Sequence, residues 1–417
     1  KRQLHVFVGQ NIDDNEMLWP FSMPPQIEDE SDINLGFYHQ SNIGLLKHVY
    51  RKGLKVRYGP TMQCVSGMHY NFSINPDSLA FLTNSNHQVD IDEAYLGLIR
   101  NFKRLFWFVL LEFGQTNVVD KSFVNNREHK LEKLNSNDMY LLDATSLRMS
   151  DIGYQSKAQK DLNIKYNSLS GFLKKIKEAI TVPYKDFEAL GLLDSNNEYH
   201  QISNGIIQIE NEYYDAIRPK RSSLNGLRPY NLLKEYGIEY LEVRGVDLLP
   251  DDITGTSVHH MQFLDIILIY CLIDQSPKIS DDEKEKIDLN DSKVIYKGRD
   301  KDTNIDKNNQ VVNINEARNE IIDDLKLVAS FFENSESFIE SIEYVIGSVK
   351  GKIPDNSFHS DGVKKAKENI KILRSNGSLN LDGIKKEAEL SLNKLKKIPE
   401  NTNEEMNEFV KNYNLKL

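Results

Sequence analysis

Between Ile91 and Gln115 the apolar side chains fall at helical spacing. Tyr95, Leu98, Ile99, Phe102, Leu105 and Phe106 share one face, which predicts a buried helix. The same period predicts a basic helix over Ile43–Gly59, a short amphipathic helix over Ser168–Ile180 and an apolar helix over Met261–Ile273. From Asn315 to Leu417 the chain reads as mostly helical and is rich in Lys, Glu and Asn. Residues 1–60 open with a helix end and a Pro-rich turn at Trp19–Gln26, before the basic helix. Polar loops are expected between the first long helix and Gln159. Charged loops are expected at Asp281–Lys293 and Gly298–Asn309.

Three stretches alternate with a period of two and read as strands. In Thr61–Ile74, Met62, Cys64, Met68, Tyr70, Phe72 and Ile74 form one row. Gln63, Val65, Gly67, His69, Asn71 and Ser73 form the other. Gly205–Arg221 places Gln208, Glu210, Glu212 and Tyr214 on one side. Gly237–Pro250 places Tyr240, Glu242 and Arg244 opposite Leu241 and Val243. A sheet that hides one face usually fills the other with Lys, Glu and Thr. Here the second faces carry His, Gln, Asn, Glu and Arg, with a glycine beside His69.

Composition narrows the classes. The chain has 417 residues, 39% of them hydrophobic, enough for a large core and two or so folding units. Its formal net charge of −10 argues against a general nucleic-acid or anionic-membrane surface. Cys64 and Cys271 are too few for a disulfide framework, which places the chain in a reducing cytoplasm, and both read as core. The apolar run Leu105–Phe113 is too short to span a bilayer.

The polar rows suit a hard cation and an anionic substrate. His69 and Glu242 can hold Mg²⁺ or Mn²⁺, and Arg244 can meet carboxylate or phosphate oxygens through its fork. The run Ala216–Arg221 adds Arg218, Lys220 and Arg221 at a strand end. Blander readings stand beside these: a hydrogen-bonded structural histidine, a local Glu242–Arg244 ion pair, a solvated strand end, and half-buried packing for Tyr50, Tyr154 and Tyr214. No GxxxxGKS/T or GxGxxG phosphate loop is present, and no CxxC, HExxH or GxSxG. Spacing alone therefore reaches a metal- and anion-binding α+β enzyme.

Five stretches, in this order, resemble the proteobacterial-type glutamate–cysteine ligase family. They are "MLWPFSMP" (Met17–Pro24), "YRKGLKVRYGPTMQCVSGMHYNFSI" (Tyr50–Ile74), "LDATSLRMSDIGYQSKAQ" (Leu142–Gln159), "QIENEYYDAIRPKR" (Gln208–Arg221) and "GIEYLEVRGVDLLP" (Gly237–Pro250). The resemblance covers residues 1–280 well and the C-terminal helices weakly. It implies a catalytic core at 1–280, a charged loop region at 281–314 and a helical region at 315–417. It also implies an α+β fold: a curved antiparallel sheet funnel of glutamine synthetase-like type, with helices outside.

The activity it implies is ATP-dependent ligation of L-glutamate to L-cysteine through γ-glutamyl phosphate, with Mg²⁺ (or Mn²⁺), by a cytoplasmic monomer that binds neither nucleic acid nor membrane. His69 and Glu242 look like metal ligands, and Arg244 looks like the residue that meets the transferring phosphoryl group. Tyr50, Leu54, Gln63, Arg148, Tyr154 and Tyr214 match the cysteine pocket. Arg218, Lys220 and Arg221 match the phosphate side. Two alternatives are a related ligase with another acceptor amine and a non-catalytic scaffold. The family also begins with a Glu-rich strand that supplies further metal carboxylates, and this sequence starts after it. The expectation is a truncated, inactive chain with an unpaired sheet edge and an incomplete metal site. Asn11–Glu16 is acidic but lies where the family has an ordinary loop.

Overall fold

The computed structural model describes residues 1–125, 127–153, 157–223, 227–375 and 380–417. Among the described residues there are eight short strands: β1 (Met68–Phe72), β2 (Val118–Asp120), β3 (Glu132–Lys133), β4 (Asp138–Tyr140), β5 (Ile217–Lys220), β6 (Tyr240–Val246), β7 (Asn304–Lys307) and β8 (Gln310–Asn313). They pair antiparallel in three separate sheets, ordered β1–β6–β5, β2–β4–β3 and β7–β8. Helices make up most of the rest, so the α+β class holds.

The predicted buried helix runs Gln88–Phe113 and forms the spine of the fold. Leu98, Ile99, Phe102, Phe108 and Val109 on it are wholly inaccessible. Its Arg100, Asn101, Lys103 and Glu112 are buried as well and each is paired, so the helix lies inside the core. It packs against β5, β6 and the second apolar helix, Val258–Ile273, whose Ser257 caps the N-terminus by accepting from the His260 N–H. The spine stops at Gly114, where a Cβ would lie 2.5 Å from the carbonyls of both Leu110 and Thr145. The basic helix runs Asn42–Tyr58. It starts on a Ser41 cap and ends at Gly59, whose φ of +83° is a glycine conformation. The amphipathic helix at Leu169–Thr181 also forms where its period placed it.

The strand readings need correction. Only Met68–Phe72 of the Thr61–Ile74 stretch is strand. Pro60 lies in the right-handed helical region and starts a 3₁₀ turn at Thr61–Cys64, so Gln63 and Cys64 do not share the β1 pleat. Cys64 is only partly buried, whereas Cys271 is core. In Gly205–Arg221 the strand is Ile217–Lys220, and Glu210–Glu212 forms a 3₁₀ turn. The carboxylates there turn inward rather than onto an active-site face. Glu212 pairs with Arg57 at 3.3 Å, and Glu210 takes the fork of Arg228 at 3.0 and 3.1 Å. Gln208 binds the Ile202 N–H and the Tyr50 carbonyl. Each needed a partner that a flat strand could not supply.

Asp281–Lys293, read as charged loop, belongs to a helix that runs Asp281–Lys297. Ser280 caps it, and Asp281, Asp282 and Glu283 occupy the first turn, where negative charge is favoured. Ile287, Val294 and Ile295 anchor it, so its charge density had hidden a helical stripe. Gly298–Asn309, also read as loop, contains β7.

The C-terminal helices do not stand apart. Met406 and Val410 pack with Leu45, Leu46 and Val49 of the basic helix, and Trp19 meets Gly362 and Phe358. Arg228 is 1% exposed. It holds Glu210, donates to the Tyr413 carbonyl and stacks 4.0 Å from the Tyr413 ring. Removing one member of such a buried pair strands the other charge, at about 3–5 kcal/mol. Glu210→Ala is therefore expected to lose about that much stability in urea denaturation, and a loss under 1 kcal/mol would refute the assignment.

Candidate functional site

The apolar side of the β1–β6–β5 sheet lies on the spine, and its other side faces out. Along β1, Met68 and Phe72 are buried, while His69 and Asn71 are exposed. On β6, Leu241 and Val243 are buried, and Glu242 and Arg244 lie on the opposite side. The period-two reading thus holds within the strands that form.

The register places Arg218 of β5 directly across from Glu242, and Asn71 across from it on the other side. Between Met68 and Tyr70 the pairing slips: β1 advances from 68 to 70 while β6 goes from 246 to 243. The extra residue lies on β6, opposite His69, and makes a bulge. Both Arg244 and Gly245 donate their N–H to the Ala216 carbonyl, at 2.7 and 3.2 Å. Gly245 is pressed against the spine, where a Cβ would sit 2.3 Å from the Phe106 ring. The bulge brings the Arg244 side chain to His69, with Nε donating to Nε2 at 3.3 Å.

Glu242 is the hub of a charge cluster. Its Oε2 receives Arg218 at 2.6 Å, with Lys220 at 3.5 Å and Arg244 at 3.8 Å, while Oε1 faces His69 Nδ1 at 3.9 Å. Burial would raise the Glu242 pKa, but Arg218, Lys220 and Arg244 outweigh it and hold the carboxyl down at about 2. Burial, then the Arg218 cation, lower Lys220 to about 8, against the pull of Glu242. Partial burial and the Arg244 cation push His69 down to about 4, so the ring is neutral at pH 7. With Nε2 accepting from Arg244, the ring proton sits on Nδ1. Arg218 also donates to the Tyr213 carbonyl at 2.6 Å, and its Nε is buried without a partner among the described residues.

Arg148 links this cluster to a second wall. It is 3% exposed and donates to Asp247 (2.6 Å), the Tyr214 hydroxyl (3.0 Å) and the Arg244 carbonyl (3.2 Å). Gly67 makes room for it: a Cβ there would lie 2.7 Å from Arg148 Nη1. The Arg244 guanidinium lies over the Tyr214 ring at 5.1 Å. Tyr50 and Leu54 sit on the basic helix, with Leu54 buried. Gln63, in the 3₁₀ turn, donates to the Arg51 carbonyl at 3.2 Å. Tyr154 lies outside the described residues. Arg221 turns away and donates to the carbonyls of Tyr236 and Gly237 at the end of the Pro229–Tyr236 helix.

Sequence reasoning missed Asp247. By period two it belongs with Leu241, Val243 and Gly245 on the dry side of β6, and a carboxylate there has to be paired. That was its signal. It also missed a cavity of about 480 Å³ behind Tyr214, lined by Phe106, Met149, Gln159 and the buried Lys103–Asp215 pair.

A divalent cation fits this face only in part. Among the described residues no third His, Cys, Asp or Glu joins His69 and Glu242 in a metal-sized group. Two protein donors suit Mg²⁺ held together with phosphate oxygens and water, not a cage made by the protein alone. No helix among the described residues is long and apolar enough to cross a membrane.

Comparison with known proteins bears on the family and the fold. The glutamate-cysteine ligase family model matches residues 2–294. A glutamate–cysteine ligase of Pseudomonas savastanoi is 37% identical over 361 residues, covering 85% of this chain and 67% of that protein. One from Hahella chejuensis is 41% identical over 303 residues, covering 72% of this chain and 58% of that protein. The crystal structure of the Francisella tularensis glutamate–cysteine ligase in complex with AMP superposes with a TM-score of 0.91 and 29% identity, covering 100% of this chain and 86% of that one. A bifunctional glutathione synthetase from Pasteurella multocida, 18% identical, shares the fold with a TM-score of 0.60 over 89% of this chain and 44% of that one. Family model, relatives and fold converge on one conclusion: the chain belongs to the glutamate–cysteine ligase family.

Proposed function

We propose that the polar face of β1–β6–β5 is the phosphoryl-transfer site of an ATP-dependent ligase that joins the γ-carboxylate of L-glutamate to the amine of L-cysteine. Family membership supports this activity, and the AMP complex of the Francisella relative supports ATP as the nucleotide. The observation that carries the assignment to this face is Arg244, Arg218 and Lys220 gathered around the single carboxylate of Glu242. Three cations against one anion leave an excess of positive charge on an open face, which is what a polyphosphate requires.

The reaction needs two steps. The γ-carboxylate attacks the terminal phosphorus of ATP, the bridging P–O bond breaks and ADP leaves. The cysteine amine then attacks the acyl carbon of γ-glutamyl phosphate, phosphate leaves, and the amine gives up a proton. Arg244 is suited to meet the transferring phosphoryl group, where a fixed cation stabilises the charge of the transition state. Arg218 and Lys220 then serve the neighbouring phosphates. Mg²⁺ (or Mn²⁺) bound with His69 and Glu242 would neutralise charge on the same phosphates. The free lone pair of the neutral ring is the one on Nε2 that Arg244 occupies, so a phosphate group that draws Arg244 away would leave His69 able to hold a cation.

Tyr214 and Arg148, with Tyr50, Leu54 and Gln63 and, by resemblance, Tyr154, form the acceptor pocket, where rings enclose a small side chain and polar groups orient it. The wider curved sheet of a glutamine synthetase-like funnel, a cytoplasmic location and a monomeric state belong to the same reading.

The test is release of ADP that depends on both glutamate and cysteine. Arg244→Ala is expected to lower kcat by roughly 10²–10³. Turnover unaffected by it removes Arg244 from the chemistry, and a preference for another amine over cysteine reassigns the acceptor. The Lys220 pKa of about 8 gives a second test. Lys220 is charged below that pH and neutral above it, so kcat/KM for ATP should fall as pH rises through about 8. Lys220→Arg keeps its charge and should remove that fall. An alkaline limb unchanged in Lys220→Arg assigns it to another group.

A further inference from the structure

We propose that Asp247 is a positioning residue for the acceptor amino acid, acting through Arg148. This rests on the ligase reading above. Asp247 is 3% exposed and sits just past β6, beyond the bulge that puts its neighbour Val246 opposite Met68 on the dry side. Its two oxygens are filled by four donors from two other parts of the chain, residues 115–116 and 146–148. Oδ1 accepts from Ser146 Oγ at 2.9 Å and Arg148 Nε at 2.6 Å. Oδ2 accepts from the Gln115 N–H and from Thr116 Oγ1, both at 2.9 Å. Gln115 directly follows the end of the spine helix, so the carboxylate is anchored to the most rigid element of the fold.

The one donor among the four that leads onward is Arg148. With its Nε on Asp247, its other two nitrogens reach the two functional walls: Nη1 the Tyr214 hydroxyl and Nη2 the Arg244 carbonyl. A guanidinium is a rigid planar fork, so fixing one edge fixes the direction of the rest. Burial would lower the Arg148 pKa, but Tyr214 and Asp247 outweigh it and keep the group charged. Without Asp247 the fork loses the partner that sets its orientation, and Tyr214 and the Arg244 backbone lose their common reference. Asp247 touches no substrate. It sets the distance between the wall that receives cysteine and the strand that carries Arg244.

The inference separates from a plain stability role by which kinetic constant moves. In the full-length protein, Asp247→Asn keeps the size of the side chain but removes the charge. The expected result is a rise in KM for cysteine of about tenfold, with KM for ATP and for glutamate within about twofold of wild type. A double mutant with Tyr214→Phe should then add little more, because both changes cut the same link. An unchanged KM for cysteine, an equal rise in all three KM values, or full additivity with Tyr214→Phe would overturn the proposal. If Asp247→Asn does not fold, Ser146→Ala decides, since it removes only one neutral donor from the same oxygen. A rise of about threefold confined to the cysteine KM supports the role, and no change overturns it. Wild-type protein that turns over no cysteine at all instead sinks the ligase reading, which keeps the two failures distinct.

Discussion

Everything on the open face of the sheet depends on one charge balance. Glu242 is the single carboxylate among Arg218, Lys220 and Arg244, and it keeps three cations within 4 Å of one anion. Like charges that close repel by several kcal/mol at an effective dielectric of ~20. The carboxylate offsets part of that, and so does the Tyr213 carbonyl, at the end of the Glu210–Glu212 turn, which accepts from Arg218. What remains is positive charge held in place before any ligand arrives. A site organised in this way spends little on rearrangement when phosphate charge builds up.

Holding the cluster in place falls to the dry side. At the Arg244–Gly245 bulge, Phe106 of the spine occupies the space a side chain at 245 would need. That close approach turns Arg244 toward His69. Packing deep in the core therefore fixes an angle at the surface, and fold and site share one constraint. Membership of the glutamate–cysteine ligase family gives this constraint a purpose.

Much of this was legible in the sequence. The long apolar helix, the basic helix and the polar rows on β1 and β6 follow from period alone, and His69, Glu242 and Arg244 fall together as expected. The misses share a physical cause. Glu210 and Glu212 alternate correctly for a strand, but their partners, Arg228 and Arg57, are distant in sequence, and period carries no information about distant partners. The Asp281–Lys297 helix was hidden because its surface charges outnumber its few anchoring residues. Gln63 was misplaced by a proline three positions earlier that turns the backbone before the pleat begins. Asp247 could have been found, as a charge that follows Leu241, Val243 and Gly245 on a row of otherwise dry positions.

The Arg228–Glu210–Tyr413 contact carries a consequence for how the chain comes together. Arg228 pairs with Glu210 close by in the chain, yet its carbonyl acceptor and aromatic cover arrive 185 residues later. The helix Arg2–Asn11 likewise waits for Phe358–Ser375, against which it packs. Closing loops of that length costs entropy that is repaid only when both ends are present. During synthesis from the N-terminus, the sheet and its spine can therefore assemble early, but the shell around them is sealed only once residue 413 has emerged. Until then Arg228 has the Glu210 carboxylate, and the Leu45–Val49 face of the basic helix has Ile202 and Ile209 but not the Met406 and Val410 that complete its cluster.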